Sequence, residues 1–358
     1  MIRGKSLSIL VPVFIFLAHS AAFPHELAAP LSNESLVDVR VVTDEADAAL
    51  LAKKKAGQPI TEADWQRLFS SEGYVRLKKR EAAMQRAFEE SEFKSFILSD
   101  KLADRAPALQ ETLDKWKLAD TTEAGRRALA YLPAGARIRA NIYPMIKPRE
   151  NSFVFEVSTD PAIFLYLDPE VTKEQFENTL AHELHHIGYG GTCPLKQTEK
   201  EISKLPDQTQ RVLHWIGAFG EGFAMLAAAG APDVHPHAAS KPEDRARWDR
   251  DVANFNADLK MVERFFSDVL AGRLSKEEQE KAGFSFFGVQ GPWYTVGWKR
   301  AVTVEQTYGR DRLIDCMCDQ RKLLPTFNRA VSKQPGALSV WQPAIIRAVT
   351  AKPKTKRP

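Results

Sequence analysis

The stretch Asn178-Thr-Leu-Ala-His-Glu-Leu-His-His-Ile-Gly-Tyr189 decides how this chain is read. It holds an H-E-x-x-H match at residues 182–186. On a helix, His182 and His186 lie one turn apart and project from one face, so two imidazole nitrogens can converge on one cation. Glu183 then sits beside that cation without ligating it, where a carboxylate can take a proton from a water the cation activates. The segment from Glu170 to Tyr189 has helical periodicity. At about 100° per residue, Phe176, Leu180, Leu184 and Ile187 fall on one stripe, and the two histidines lie well round from it with Glu183 between. Gly188, Gly190 and Gly191 are expected to end the helix. Burying two histidines and a glutamate is costly without a charge partner, and a metal supplies one. The bland alternative is an amphipathic helix with solvent-exposed histidines.

A third ligand has to come from elsewhere. The longer metzincin pattern needs Gly at 189 and His at 192, where this chain has Tyr189 and Thr192. A thermolysin-like spacing puts glutamate near 206, which is Pro206 with Asp207 beside it. The run Val212-Leu-His-Trp-Ile-Gly-Ala-Phe-Gly-Glu-Gly-Phe-Ala-Met-Leu-Ala-Ala-Ala-Gly230 contains one acidic residue, Glu221. Coordination to a dication relieves a carboxylate buried in such a run, which makes Glu221 the third candidate ligand. Gly217, Gly220 and Gly222 with Ala218 and Ala224 leave little bulk, so this helix can lie close to a neighbour. The alternative is a hydrogen-bonded structural glutamate. His214, two turns before Glu221, is expected to be a core histidine, with a supporting or substitute role at the metal as the alternative. His185 points away from His186. His235 and His237, in the loop Ala231-Pro-Asp-Val-His-Pro-His237, are expected at the surface, as weaker candidate ligands.

The 358 residues suffice for a full core, as one large domain or two lobes around a cleft. Hydrophobic residues make up 44% and charged residues 27%, the balance of a soluble globular protein, and the net charge is only +4. No basic run interleaves with aromatics, which argues against a nucleic-acid groove. Arg3 and Lys5 precede an apolar stretch, Leu7 to Ala18, and Ser20-Ala21-Ala22 offers small residues for cleavage. That is the pattern of a secretory signal, with an uncleaved anchor as the competing reading. The apolar run at 212–231 also raises a transmembrane question, which its glycines, His214 and Glu221 answer in favour of a buried helix. No stable membrane insertion is expected after signal cleavage. In an oxidising compartment Cys193 can bridge to Cys316 or Cys318, leaving one thiol over.

Residues 1–22 therefore form the signal segment, and 23–60 a lead with the first elements. Val37-Asp-Val-Arg-Val-Val42 alternates as a strand does. Residues 61–190 make a helical and small-sheet lobe. In it Thr61 is an expected N-cap, as is Asp44 before it, and Gly57 and Gly73 are expected breaks. Ala136–Tyr143, Ser152–Val157 and Ala162–Leu167 read as three short strands between Pro, Asn and Asp turns. Residues 191–350 form a helical C-terminal lobe, with a long amphipathic stretch at about 242–271 closed by Gly272. Residues 351–358 are a basic, solvated tail. The fold class is α+β, mostly helical.

A small sheet followed by an H-E-x-x-H helix and a helical lobe is the layout of zincin metallopeptidases. Trp65-Gln-Arg-Leu-Phe-Ser-Ser-Glu-Gly-Tyr74, Asn178–His186, Glu221-Gly-Phe-Ala224 and Trp293-Tyr-Thr-Val-Gly297 resemble a bacterial family of zinc-dependent, gluzincin-like peptidases without an assigned substrate. The resemblance covers about residues 60–335. It implies one zinc per chain on His182, His186 and Glu221, although Glu221 lies in a Glu-Gly-x-Ala context rather than a thermolysin-type one. The expectation is an exported, periplasmic or secreted zinc metallohydrolase acting on a peptide or protein, with Glu183 as general base. Tyr294, held between Pro292 and Gly297, is a candidate donor to the developing oxyanion, against a plain core tyrosine. Ala162–Leu167 is a candidate strand for pairing with an extended peptide. The rivals are an inactive zinc-binding protein of the same fold and a helical scaffold with a fortuitous motif. Substrate and oligomeric state are not readable.

Overall fold

The structure is a computed structural model that describes residues 36–351, apart from 44, 150, 151, 158, 335 and 337. The expected signal segment (1–22), residues 23–35, Asp44 and the basic tail after residue 351 lie outside the described residues. The protein is mostly helical, 64%, with one small four-stranded sheet, an α+β fold. Its contacts divide it into two units. The first comprises the chain up to Leu118 together with 137–170; the second comprises 119–136 and 171 onward. The segment 61–190 thus has parts in both.

In the first unit the chain runs through β1 (Val37–Val41) and five helices: α1 (Glu45–Lys55), α2 (Glu62–Phe69), α3 (Glu72–Ala83), α4 (Glu90–Ile97) and α5 (Asp100–Lys117). The second unit's first helix, α6 (Thr121–Leu129), follows, and the chain then returns for β2 (Ile138–Met145), β3 (Phe153–Phe155) and β4 (Ala162–Tyr166). Thr61 caps α2 in a full capping box with Asp64, which satisfies two of the amide donors that a helix start leaves over. Gly73 is not a break. It lies inside the first turn of α3, where a Cβ would press on Met145 Sδ at 3.2 Å and Tyr143 Cδ1 at 3.3 Å.

The sheet has the order β1-β2-β4-β3. β1 and β2 run parallel with Val37 opposite Ile138, β2 and β4 parallel with Asn141 opposite Ala162, and β3 antiparallel to β4 with Phe153 opposite Phe164. Ile138, Ala140 and Ile142 alternate inward along β2 with Arg139 exposed between them, while Ala162–Leu165 in β4 is buried throughout. A continuous apolar run of that kind marks a strand covered on both faces. β4 is also paired on both sides, so it has no open edge for an added peptide strand. The edges belong to β1 and β3.

The second unit holds α6 and then α7 (Lys173–Thr192), α8 (Leu195–Ile202), α9 (Asp207–Gly217), α10 (Gly220–Ala229), α11 (Pro242–Ala253), α12 (Phe255–Leu270), α13 (Lys276–Ser285), α14 (Pro292–Tyr308), α15 (Arg310–Cys318), α16 (Gln320–Val331) and α17 (Pro343–Val349). Three boundaries differ from the local sequence signals. α7 runs through Gly188, Gly190 and Gly191 and stops at Cys193, whose amide donates to the Tyr189 carbonyl. A helical glycine costs about 1 kcal/mol relative to alanine. The stop comes instead at Pro194, which disfavours helix for the residue before it, and at the Cys193–Cys318 disulfide. The apolar run around Glu221 is two helices, broken at Ala218–Phe219. The stretch 242–271 is likewise two, broken at Asn254. By length and composition Asp207–Ala229 could cross a membrane, but 72% of its most apolar window is buried inside the protein.

Candidate metal centre

Helix α7 starts with a capping box between Thr172 and Gln175. Its apolar stripe, Phe176, Leu180, Leu184 and Ile187, is fully buried. Two neighbours fix its position. Arg127 of α6 donates to the Ala228 carbonyl at 2.8 Å and the Glu177 carbonyl at 3.2 Å, and so ties α6, α7 and α10 together at their backbones. Asn178 Nδ2 donates to the Pro236 carbonyl at 3.2 Å. Neither tie was readable, because each joins residues 50 or more positions apart.

Across α7 and α10 three ligand-type atoms converge. His182 Nε2 is 3.1 Å from Glu221 Oε2, His186 Nε2 is 3.1 Å from His182 Nε2, and His186 Nε2 is 3.4 Å from Glu221 Oε2. Tetrahedral zinc with ligands at about 2.0–2.2 Å holds its donor atoms about 3.3–3.6 Å apart, which this triangle matches to within a few tenths of an ångström. Protons alone serve this triangle poorly, since one N–H on His182 cannot point at both neighbours. All three side chains are buried or nearly so. Among the described residues they form the single cluster of three or more His, Cys, Asp or Glu with such spacing.

The surroundings fit a cation. Glu183 is 0% exposed, and neither of its carboxylate oxygens has a hydrogen-bond partner. A lone buried carboxylate costs several kcal/mol unless it is neutralised or faces positive charge. Burial pushes the Glu183 carboxyl up, and His182 and His186 pull it down. For Glu221 burial also raises the pKa, yet His186 and His182 outweigh it and hold the carboxyl at about 2. Glu221 is therefore an anion, which is the ligating form.

Tyr294 of α14 lies at the same place. Its ring stacks on His182 with centroids 6.3 Å apart and planes 16° apart. Its hydroxyl hydrogen-bonds Glu221, and burial, then the negative Glu221 and Glu183, push its pKa well above the ordinary phenol value. His182 Nδ1 has no hydrogen-bond partner, so the ring is held by its Nε2 contacts and by its neighbour Tyr294. α10 and α14 approach at Gly222 and Gly297, where a Cβ on Gly222 would lie 2.5 Å from the Gly297 Cα. Gly220, by contrast, faces open space, and Gly217 faces only the Gln320 side chain.

The other histidines lie apart from the triangle. His214 is exposed on α9, edge-on to Trp215, so it is not a core histidine, and it is not among the ligand-type groups gathered with Glu221. His185 is buried with its ring centroid 6.3 Å from His186, and burial followed by the neighbouring histidines lowers its pKa to about 3. His235 pairs with Asp249 at 2.9 Å. His237, expected at the surface, is 6% exposed, packed on Trp248 and bonded through Nδ1 to Ser240. A cavity of about 270 Å³ in the first unit, lined by Asp47, Glu72, Tyr74 and Tyr143 among others, contains none of these groups.

A family model described as "Putative zinc dependent peptidase (DUF5700)" matches residues 65–336, a span that includes all of His182, Glu183, His186, Glu221 and Tyr294. No curated protein and no solved structure matches the chain.

Proposed function

The chain belongs to that zinc dependent peptidase family, and from this premise we propose that it is an exported zinc metallopeptidase with a zincin-like active site. The observation that carries the reading is the convergence of three ligand atoms within 3.4 Å beside a fully buried, unpartnered glutamate. Export is supported by the pattern of residues 1–22 and by the Cys193–Cys318 disulfide, a bond that persists in oxidising compartments.

His182, His186 and Glu221 would hold one zinc ion. When bound, zinc supplies Lewis acidity, which lowers the pKa of a water towards neutrality and polarises a carbonyl. Glu183 takes the proton of the attacking water on a carboxylate oxygen and passes it to the departing amine nitrogen. The upward push of burial on its pKa suits a base that must keep a proton between the two steps. Tyr294 stays a phenol, so its hydroxyl can donate to the carbonyl oxygen as negative charge grows there. The substrate is a peptide or protein, not a nucleic acid.

The test is digestion of a mixed peptide library by purified mature protein, read by mass spectrometry, with Glu183→Gln alongside. Cleavage by the wild type that disappears in Glu183→Gln is expected. Equal cleavage by both would remove Glu183 as base, and no cleavage by either would leave a zinc-binding protein without peptidase activity.

A further inference from the structure

The segment from Phe284 to Gly291, the end of α13 and the loop that carries the chain into α14, is held in one unusual shape. Gly288 has φ of 44° and Gln290 has φ of 59°. Gln290 is the one described non-glycine residue of the second unit with positive φ. Such a conformation costs energy and persists where the surroundings over-determine it, often at ligand-contacting segments. The surroundings here are explicit. The Gly291 amide donates to the Phe287 carbonyl at 2.7 Å, the Trp293 amide to the Phe286 carbonyl at 3.3 Å, and Trp293 Nε1 to the Gly283 carbonyl at 2.8 Å. A Cβ on Gly291 would lie 2.7 Å from the Phe286 carbonyl oxygen, so this position must be glycine.

This segment presents apolar groups to solvent. Phe284 is 43% and Val289 38% exposed, with Phe287 half-buried between them. The Phe284 and Phe287 rings lie 6.3 Å apart. Phe287 is 6.5 Å from the Tyr294 ring, and Tyr294 in turn stacks on His182. Phe287 is thus one side chain, the buried Tyr294, away from the candidate metal centre. The sequence from Ala282 to Trp298 contains no charged residue, so nothing along it would recognise a charged group. Exposed aromatic surface on this segment beside a polar site is suited to a large apolar side chain, whose burial there releases water from both partners.

We propose that Phe287, flanked by Phe284 and Val289, is the subsite for a large apolar side chain next to the scissile bond, so that the substrates are peptides with a phenylalanine- or leucine-type residue there. The inference rests on the peptidase reading, but its test does not need turnover. Titration calorimetry on the zinc-loaded protein would compare two short peptide hydroxamates, identical except for a benzyl or a methyl side chain beside the hydroxamate. The wild type should bind the benzyl compound at least about tenfold more tightly, the range that apolar contacts of this size supply. Phe287→Ala should bring the ratio below about threefold while affinity for the methyl compound stays within about twofold. Phe287→Leu should keep most of the preference. Equal affinities in the wild type, no binding of either compound, or an unchanged ratio in Phe287→Ala would overturn the subsite. If Phe287→Ala loses its helical circular dichroism, Val289→Ser at its exposed position takes its place, with a ratio lowered about threefold expected and an unchanged ratio contradicting. A benzyl preference without cleavage of any library peptide would fault the peptidase reading and leave the subsite standing.

Discussion

A Cβ built on Gly297 would lie 3.1 Å from the Cα of Gly222, so α10 and α14 touch backbone to backbone at that point. Glu221 is the residue before one glycine, and Tyr294 lies almost one turn before the other. The contact thus sets how the phenol meets the carboxylate. Alanine at Gly222 would put a methyl group against the Gly297 and Trp298 backbone. Overpacking of this kind costs about 1–3 kcal/mol or more. Gly222→Ala should lower the urea midpoint by a corresponding amount and weaken zinc retention against a chelator at least tenfold. Normal stability together with normal retention would show that the helices can separate without harm to the site.

Tyr294 has a distinct signature. If its hydroxyl stabilises the developing oxyanion, Tyr294→Phe should lower kcat about a hundredfold, near the lower end of what a lost oxyanion donor costs. KM and zinc content should change little, because His182, His186 and Glu221 all remain. A wild-type kcat would reduce Tyr294 to packing against His182, and a loss of zinc would make it a support for Glu221 instead.

The cysteines give a chemical count. Cys193 and Cys318 are bonded, closing a 125-residue span, and Cys316 is free and buried. Thiol titration of the unfolded, unreduced protein should find one reactive group per chain, and peptide mapping should place it on Cys316. Cys318→Ser should cost about 2–5 kcal/mol of stability. Three reactive thiols would mean that the bond is absent.

His237 makes stability depend on pH. Burial first, then the nearby His235, lowers its folded-state pKa to about 4, whereas an unfolded histidine titrates near 6.5. Between those values the unfolded chain binds more protons than the folded one, so stability falls as pH drops from about 6.5 to about 4. The full effect is on the order of 3 kcal/mol. Urea unfolding at pH 7 and pH 4.5 should show the gap between wild type and His237→Asn narrowing at the lower pH. A constant gap would mean that the imidazole titrates alike in the folded and unfolded chain.

Features whose cause is local were legible in the sequence. His182, Glu183 and His186 sit on one helical turn, and the four strands announce themselves as short alternating or continuous apolar runs between turn residues, to within two residues at their ends. Glu221 stood out because a carboxylate in an apolar run needs a reason to be there. What escaped is long-range. Strand order decides that β4 is interior and β3 an edge, and no local pattern encodes strand order. Gly188, Gly190 and Gly191 read as a helix end, yet tertiary packing and Pro194 carry the stop beyond them. The burial of His237 depends on Trp248, 11 positions later, and the neighbourhood of Tyr294 depends on Phe287 and His182.

Zinc content tests the central claim most directly. Mass-spectrometric metal analysis of the purified protein should find close to one zinc per chain in the wild type, in Glu183→Gln and in His214→Ala. Glu221→Ala, which takes one corner from the triangle of donor atoms, should fall below about a tenth of an equivalent after dialysis against a chelator that leaves the wild type loaded. One full equivalent retained by Glu221→Ala, or lost by His214→Ala, would contradict the account.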